Sequence, residues 1–162
     1  MALRPETSRS VLVSTTSPQA TRALAGRLAT VAKQGDLICL WGELGAGKTV
    51  MAKGFGAGLG VAGTITSPTF VLMAEYEGRL PLFHLDLYRI ADAGTAVAGG
   101  LLDERQATGV TIVEWPDRLG PALAPDRLDV HIDGTDGATR RITISATDPE
   151  LWRYLDAAGT GS

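Results

Sequence analysis

At 162 residues and a net charge of −3, the chain is long enough for one domain with a real hydrophobic core. It lacks the global basic field that would drive it onto nucleic acid or an anionic membrane. No apolar run nears bilayer-spanning length, the start Met1-Ala2-Leu3-Arg4-Pro5-Glu6 lacks the apolar segment of a signal peptide, and a single cysteine permits no internal disulfide. These features point to a cytoplasmic protein with no membrane attachment.

Residues 1–9 are polar and read as a loose start. Ser10 to Val13 is a short strand. Ser17-Pro18 then opens a helix with proline at its first position. Leu24, Leu28, Val31 and Ala32 give that helix an apolar face, and Gly35 ends it. Leu37-Ile38-Cys39-Leu40-Trp41 is an apolar strand in which Cys39 is a buried, unreactive thiol.

Gly42-Glu43-Leu44-Gly45-Ala46-Gly47-Lys48-Thr49 follows at once and fits G-x-x-x-x-G-K-[ST]. The pattern needs a strand before it and a helix after it, because the loop wraps a phosphate chain at the positive end of a helix. Both flanks are present, the helix spanning residues 48–59. Glycines let the backbone approach the phosphates with its N–H groups turned inward. Lys48 neutralises β/γ-phosphate oxygens in such a loop, and Thr49 offers its hydroxyl to Mg²⁺. The chain has only three lysines, Lys33, Lys48 and Lys53, and one falls on the required position.

Gly54, Gly56, Gly58 and Gly60 weaken the end of that helix. Thr64 to Pro68 is a loop, and the polar stretch Thr66-Ser67-Pro68-Thr69 is either a plain turn or a switch whose hydroxyls report a γ-phosphate or Mg²⁺. Phe70 to Tyr76 and Leu80 to Tyr88 are strands joined at Glu77-Gly78-Arg79 as an antiparallel hairpin. Leu82-Phe83-His84-Leu85-Asp86 ends in an acid, the form of a Walker B carboxylate that holds Mg²⁺ directly or through water. A capping aspartate is the alternative. Residues 91–107 hold one or two short helices.

Val110-Thr111-Ile112-Val113-Glu114 has the same form and stops at Pro116. Glu114 is a second candidate for the metal shell or for orienting an attacking water. Trp115 is core packing or an aromatic beside the nucleotide. Arg89 and Arg118, close to the two acids in sequence, either balance phosphate charge or form exposed ion pairs. His84 and His131 read as structural, and no zinc pattern is present. Arg127 to Ile132 and Arg140 to Ser145 form a second antiparallel pair at a sheet edge, turning at Asp133-Gly134. Asp148 to Ala158 is a terminal helix whose glycine-rich end, 159–162, frays. The elements make a single α/β domain over 1–162, a P-loop NTPase-type mixed sheet flanked by helices, with ligands at the strand-end edge.

Four motifs stand in order: the phosphate loop Gly42–Thr49, Thr66-Ser67-Pro68-Thr69-Phe70, His84-Leu85-Asp86-Leu87-Tyr88-Arg89 and Val113-Glu114-Trp115-Pro116-Asp117-Arg118. Together they resemble the TsaE (YjeE) family, the small bacterial ATPases of tRNA threonylcarbamoyladenosine synthesis, from about residue 12 to about residue 145. The resemblance implies a small P-loop domain with a mixed sheet. It also implies ATP as substrate and Mg²⁺ as cofactor, Lys48 and Thr49 on phosphate and metal, Asp86 as the Walker B-like acid, Glu114 with Trp115 as a second functional pair, and the Thr66–Thr69 loop as a switch. It further implies TsaB and TsaD as partners. TsaD transfers threonylcarbamoyl to adenosine 37 of tRNAs that read codons starting with A, so tRNA is met indirectly, and ATP hydrolysis resets the assembly between turnovers. The segment 92–107, rich in alanine and glycine, departs from the family pattern, as does the tail after Asp148.

Two other classes remain open from the residues alone. A small-molecule kinase uses the same loop but needs an arginine-dense lid, and the arginines here are spread out. A nucleotide-gated interaction module fits the switch-like loop equally well.

The chain contains no asparagine, so it cannot form the Asn-Lys-x-Asp guanine reader of Ras-like GTPases. Asp117-Arg118-Leu119-Gly120 matches D-x-x-G, a pattern short enough to recur by chance. Adenine is therefore the expected base, with Ser14 to Thr21 a candidate stretch for holding it. ATP or ADP is expected to bind more tightly than GTP or GDP. Competition in which GTP displaces ATP at equal concentration would reverse that assignment.

Overall fold

A seven-stranded mixed sheet orders the chain in a computed structural model that describes residues 7–43, 45–63, 65, 73–88, 107–134 and 137–159. The strands are β1 (Arg9–Thr15), β2 (Leu37–Trp41), β3 (Met73–Tyr76), β4 (Leu82–Asp86), β5 (Val110–Glu114), β6 (Leu128–Gly134) and β7 (Arg140–Ala146). Their spatial order is β1-β7-β6-β2-β5-β4-β3. The four inner strands β6, β2, β5 and β4 run parallel. The flanking pairs β1/β7, β7/β6 and β3/β4 are antiparallel.

Helix α1 (Pro18–Ala29) starts as its sequence indicates: Pro18 stands in the first turn, and the Ser17 hydroxyl accepts the Ala20 N–H at 3.0 Å. It ends at Thr30 rather than Gly35, which turns the chain with φ 92°. Arg79, from the β3–β4 connection, satisfies the orphan carbonyls at that end. Its Nη2 donates to Ala29 O at 2.9 Å and Ala32 O at 3.2 Å. A 3₁₀ turn at Pro149–Leu151 precedes α3 (Trp152–Gly159), so the expected terminal helix is split in two. Tyr154 and Arg153 of α3 both donate to Asp36 Oδ2, just before β2.

The sheet's two faces carry different side-chain clusters, as period-two alternation requires. Ile38, Leu40, Leu82, Val110, Ile112, Leu128 and Val130 pack with α1, α2 (Lys48–Gly58) and α3. Cys39, Phe83, Leu85 and Val113 face the other way and are joined by Leu119 of a 3₁₀ helix, Pro116–Ala122. Cys39 is fully buried, and desolvation pushes its thiol pKa up to about 12, as an inert core thiol should be.

Other expectations are corrected by the packing. The β6/β7 pair is antiparallel but does not lie at the edge: β1 closes β7, and β6 pairs with β2 on its other side. Strand β6 also runs through Asp133-Gly134, past the expected turn. Helix α2 runs to Gly58, one residue short of the expected end, and α1 packs against its bare glycine backbone. A Cβ at Gly54 would lie 2.6 Å from Arg22 O, and one at Gly58 would lie 2.7 Å from Ala29 Cβ. The expectations for residues 1–6, the Thr64–Pro68 loop apart from Ile65, residues 70–72, the helices of 91–107 up to residue 106, and 160–162 lie outside the described residues. Among those described, no helix is long and apolar enough to cross a membrane.

Gly54→Val is expected to force α1 off α2 and to destabilise the protein by about 1–3 kcal/mol. Ala57→Val, on an exposed position of the same helix, is the control. Urea denaturation with equal midpoints for the two variants would contradict the close helix contact.

Candidate nucleotide site

Strand β2 delivers the chain to Gly42 at the edge where the parallel strands end, and the loop turns back to begin α2 at Lys48. Gly42 cannot carry a side chain, since a Cβ there would lie 2.7 Å from Ile132 O of β6. Gly47 caps α2 with φ 116°, a conformation that glycine adopts without steric cost. Ala46 N–H donates to Glu43 O at 3.0 Å within the turn. Leu44 lies outside the described residues.

The Lys48 side chain is only 5% exposed, not partly solvated as its role in the loop suggests. Its Nζ is folded back onto the loop, donating to Gly42 O at 2.5 Å and Glu43 O at 3.0 Å, and stands 4.1 Å from the centroid of the Trp115 ring. Desolvation lowers its pKa, while Glu114, Asp86, Glu43 and Asp117 pull it back up. A cation is therefore held in the mouth of the loop by two carbonyl dipoles and a π-face, with acids near enough to act on it electrostatically. Thr49, next in the helix, is half-buried.

The two strand-end acids meet. Asp86 and Glu114 are register partners on the parallel pair β4/β5. Asp86 is half-buried, with Oδ1 accepting the Tyr88 N–H at 3.1 Å. Its pKa is raised, mainly by desolvation; the Tyr88 N–H opposes the shift and Glu114 adds to it. Glu114 is 3% exposed. Trp115 follows in the left-handed region (φ 61°, ψ 53°), the only non-glycine residue with positive φ among those described. Its ring also contacts Tyr88 at 5.0 Å.

Of the auxiliary candidates, Arg118 stands on the 3₁₀ helix beyond Trp115, and its backbone N–H donates to Trp115 O at 3.2 Å. Thr66, Ser67, Thr69 and Arg89 lie outside the described residues. In the stretch Ser14–Thr21, Thr15 and Thr21 hydrogen-bond each other at 2.7 Å and Ser17 caps α1, so these hydroxyls are already engaged. Thr15 does stand beside the loop's edge of the sheet, opposite Arg140 in register. His131 is exposed and stacked on Trp41, centroids 5.5 Å apart.

Two residues not singled out for the site reach it. Arg140, at the start of β7, donates Nε to Ala46 O at 2.7 Å and Nη1 to Gly137 O and Thr139 O, tying the phosphate loop to the β6–β7 hairpin. No local pattern signals this contact. His84, expected to be merely structural, lies 2.6 Å through Nε2 from Glu114 Oε2. Its place two residues before Asp86, hence on the same strand face, is the available signal.

The donor set suits Mg²⁺, a hard cation that takes one or two carboxylates and fills its remaining positions with phosphate oxygens and water. Asp86 is a desolvated acid beside a second acid, an arrangement that a cation relieves.

Comparison with known proteins follows the same lines. The family model described as threonylcarbamoyl adenosine biosynthesis protein TsaE matches residues 15–142. The chain is 41% identical over 133 residues to the tRNA threonylcarbamoyladenosine biosynthesis protein TsaE of Bacillus subtilis, covering 82% of this chain and 83% of that one. It is 38% identical over 144 residues to the protein of the same name from Streptomyces coelicolor, covering 85% and 97%. A crystal structure of YdiB from Bacillus subtilis superposes with a TM-score of 0.76 at 33% identity, over 94% of this chain and 95% of that one.

Lys48→Ala is expected to weaken ATP binding about 10–100-fold, the range for losing hydrogen bonds to a charged group. The fold should persist, because Lys48 belongs to neither apolar cluster. Calorimetry showing unchanged ATP affinity in the folded variant would remove the lysine from phosphate binding.

Proposed function

Since the chain belongs to the TsaE family, we propose that it is the ATP-binding and ATP-hydrolysing component of tRNA threonylcarbamoyladenosine synthesis, working in the cytoplasm with TsaB and TsaD. The observation that carries this reading is the convergence of Lys48, Asp86 and Glu114 on one sheet edge, the lysine opening the helix after β2 and the two acids ending β4 and β5 in register. A P-loop lysine beside two register-paired strand-end carboxylates is a charge pattern suited to phosphoryl transfer.

In this reading the backbone of Gly42–Thr49 cradles the β- and γ-phosphates, and Lys48 exchanges Gly42 O and Glu43 O for phosphate oxygens. Thr49 and the acids Asp86 and Glu114 hold Mg²⁺, which when bound supplies positive charge to the phosphate oxygens. One of the two carboxylates orients the attacking water. Trp115 and Tyr88 wall the mouth, and Arg118 and Arg89 are auxiliary charges. The loop Thr66, Ser67 and Thr69 senses closure by the partners. Partner closure excludes water and strengthens the electrostatics on the transferring phosphate. The enzyme alone is therefore slow.

The experiment is an ATPase assay of the purified chain before and after addition of TsaB and TsaD. Slow basal hydrolysis and clear stimulation are expected, with Thr66 or Thr69 substitutions reducing stimulation more than ATP binding. Asp86→Ala and Glu114→Ala are expected to bind ATP yet turn over about 10²–10⁴-fold more slowly. Full turnover by the isolated chain, with no binding or rate change on adding TsaB–TsaD, would reject the role and leave the small-molecule kinase to be tested.

A further inference from the structure

We propose that His84 is a positioning residue that fixes the Glu114 carboxylate: it engages Oε2 and leaves Oε1 as the oxygen presented to the nucleotide side. The inference rests on the reading that Glu114 takes part in hydrolysis. On β4, His84 and Asp86 share one strand face. His84 pairs in register with Ile112 and Asp86 with Glu114, so the imidazole lies one pleat behind the two acids. The ring is fully buried, and Nε2 stands 2.6 Å from Glu114 Oε2.

In this proposal the hydrogen of the contact sits on His84 Nε2 and the Glu114 carboxylate accepts it. At that length it is a charge-assisted bond of the stronger kind. The other ring nitrogen, Nδ1, is buried with no hydrogen-bond partner among the described residues. An aliphatic side chain would fill the same space without leaving a bare buried nitrogen. Packing therefore does not explain the imidazole, whereas the bond to Glu114 does. Glu114 needs such a clamp because the charges beside it act on its carboxylate: Asp86 repels it and Lys48 attracts it. A glutamate free to follow Lys48 would shift whenever that lysine moved to a phosphate.

The test uses two amides that differ in reach. The amide nitrogen introduced by His84→Gln can occupy the Nε2 position, whereas the one introduced by His84→Asn reaches only the Nδ1 position. With TsaB–TsaD present, His84→Asn is expected to lower kcat about 10²-fold, the penalty of a misplaced group, with little change in KM, and His84→Gln to recover most of that loss. The double variant His84→Asn/Glu114→Gln is expected to be no slower than Glu114→Gln alone, within about twofold. A readout independent of turnover is the gain in ADP affinity on adding Mg²⁺, which should shrink in His84→Asn to the value in Glu114→Gln.

Equal effects of the His84→Asn and His84→Gln variants, or losses that multiply in the double variant, would overturn the positioning role while leaving Glu114 in the reaction. Unimpaired turnover by Glu114→Gln would overturn both this inference and the part of the functional reading on which it rests. One measurement needs no His84 variant: the imidazole ¹⁵N spectrum of the unmodified protein must place a hydrogen on Nε2, and a hydrogen on Nδ1 alone would reject the proposal.

Discussion

Parallel hydrogen bonding of β2 to β5, and of β5 to β4, forces the strand ends carrying Trp41, Glu114 and Asp86 onto one edge of the sheet. Parallel neighbours cannot be joined by tight hairpins; each needs a crossover, so all three chain segments leave the sheet on the same side. The phosphate loop grows from the first of these ends. The two acids sit on the other two without any need to bring distant loops together. Site assembly is thus a by-product of strand direction, and side-chain chemistry is added at positions that the register already makes adjacent.

Charge balance governs the rest of the site. Among the described residues, Lys48 is desolvated and partnered by carbonyl dipoles, a π-face and acids at longer range. Asp86 is desolvated beside a second acid. Each alone is uncomfortable, and in the function proposed above each would be relieved by a magnesium nucleotide: phosphate oxygens for the lysine and a divalent cation for the acids. The contacts that Lys48 makes within the chain are weaker counterparts of those ligands. This makes exchange of partners on binding inexpensive compared with pulling a group out of a fully satisfied network.

Much of this is legible in the sequence because the informative patterns are local. The eight residues from Gly42 to Thr49 carry their own signature, and the runs Leu37–Trp41 and Val110–Glu114 form strands with the bounds read from sequence. Asp86 and Glu114 stand out as acids ending apolar runs. Features requiring knowledge of which segments are neighbours are not legible. Alternation in 127–145 indicates a hairpin but not what lies on its far sides, so the pattern suggests an edge where β6 in fact sits beside β2. His84 is an ordinary strand residue until β4 is known to lie against β5. The glycines of α2 look like helix breakers until α1 is placed on them. The inward fold of Lys48 depends on Trp115, far along the chain, and on a loop conformation that no composition encodes.

The contact between α1 and α2 has a mechanical meaning. With Gly54 and Gly58 offering bare backbone to Arg22 and Ala29, the two helices come close enough at these points that no side chain of α2 separates them. Sliding one past the other would drive main-chain atoms together, so the pair behaves as a single stiff lever. One arm begins at the lysine in the mouth of the phosphate loop, and the other is pinned at its far end by Arg79 from the β3–β4 connection. A displacement at the loop therefore cannot dissipate between the helices; it tilts both together or is refused.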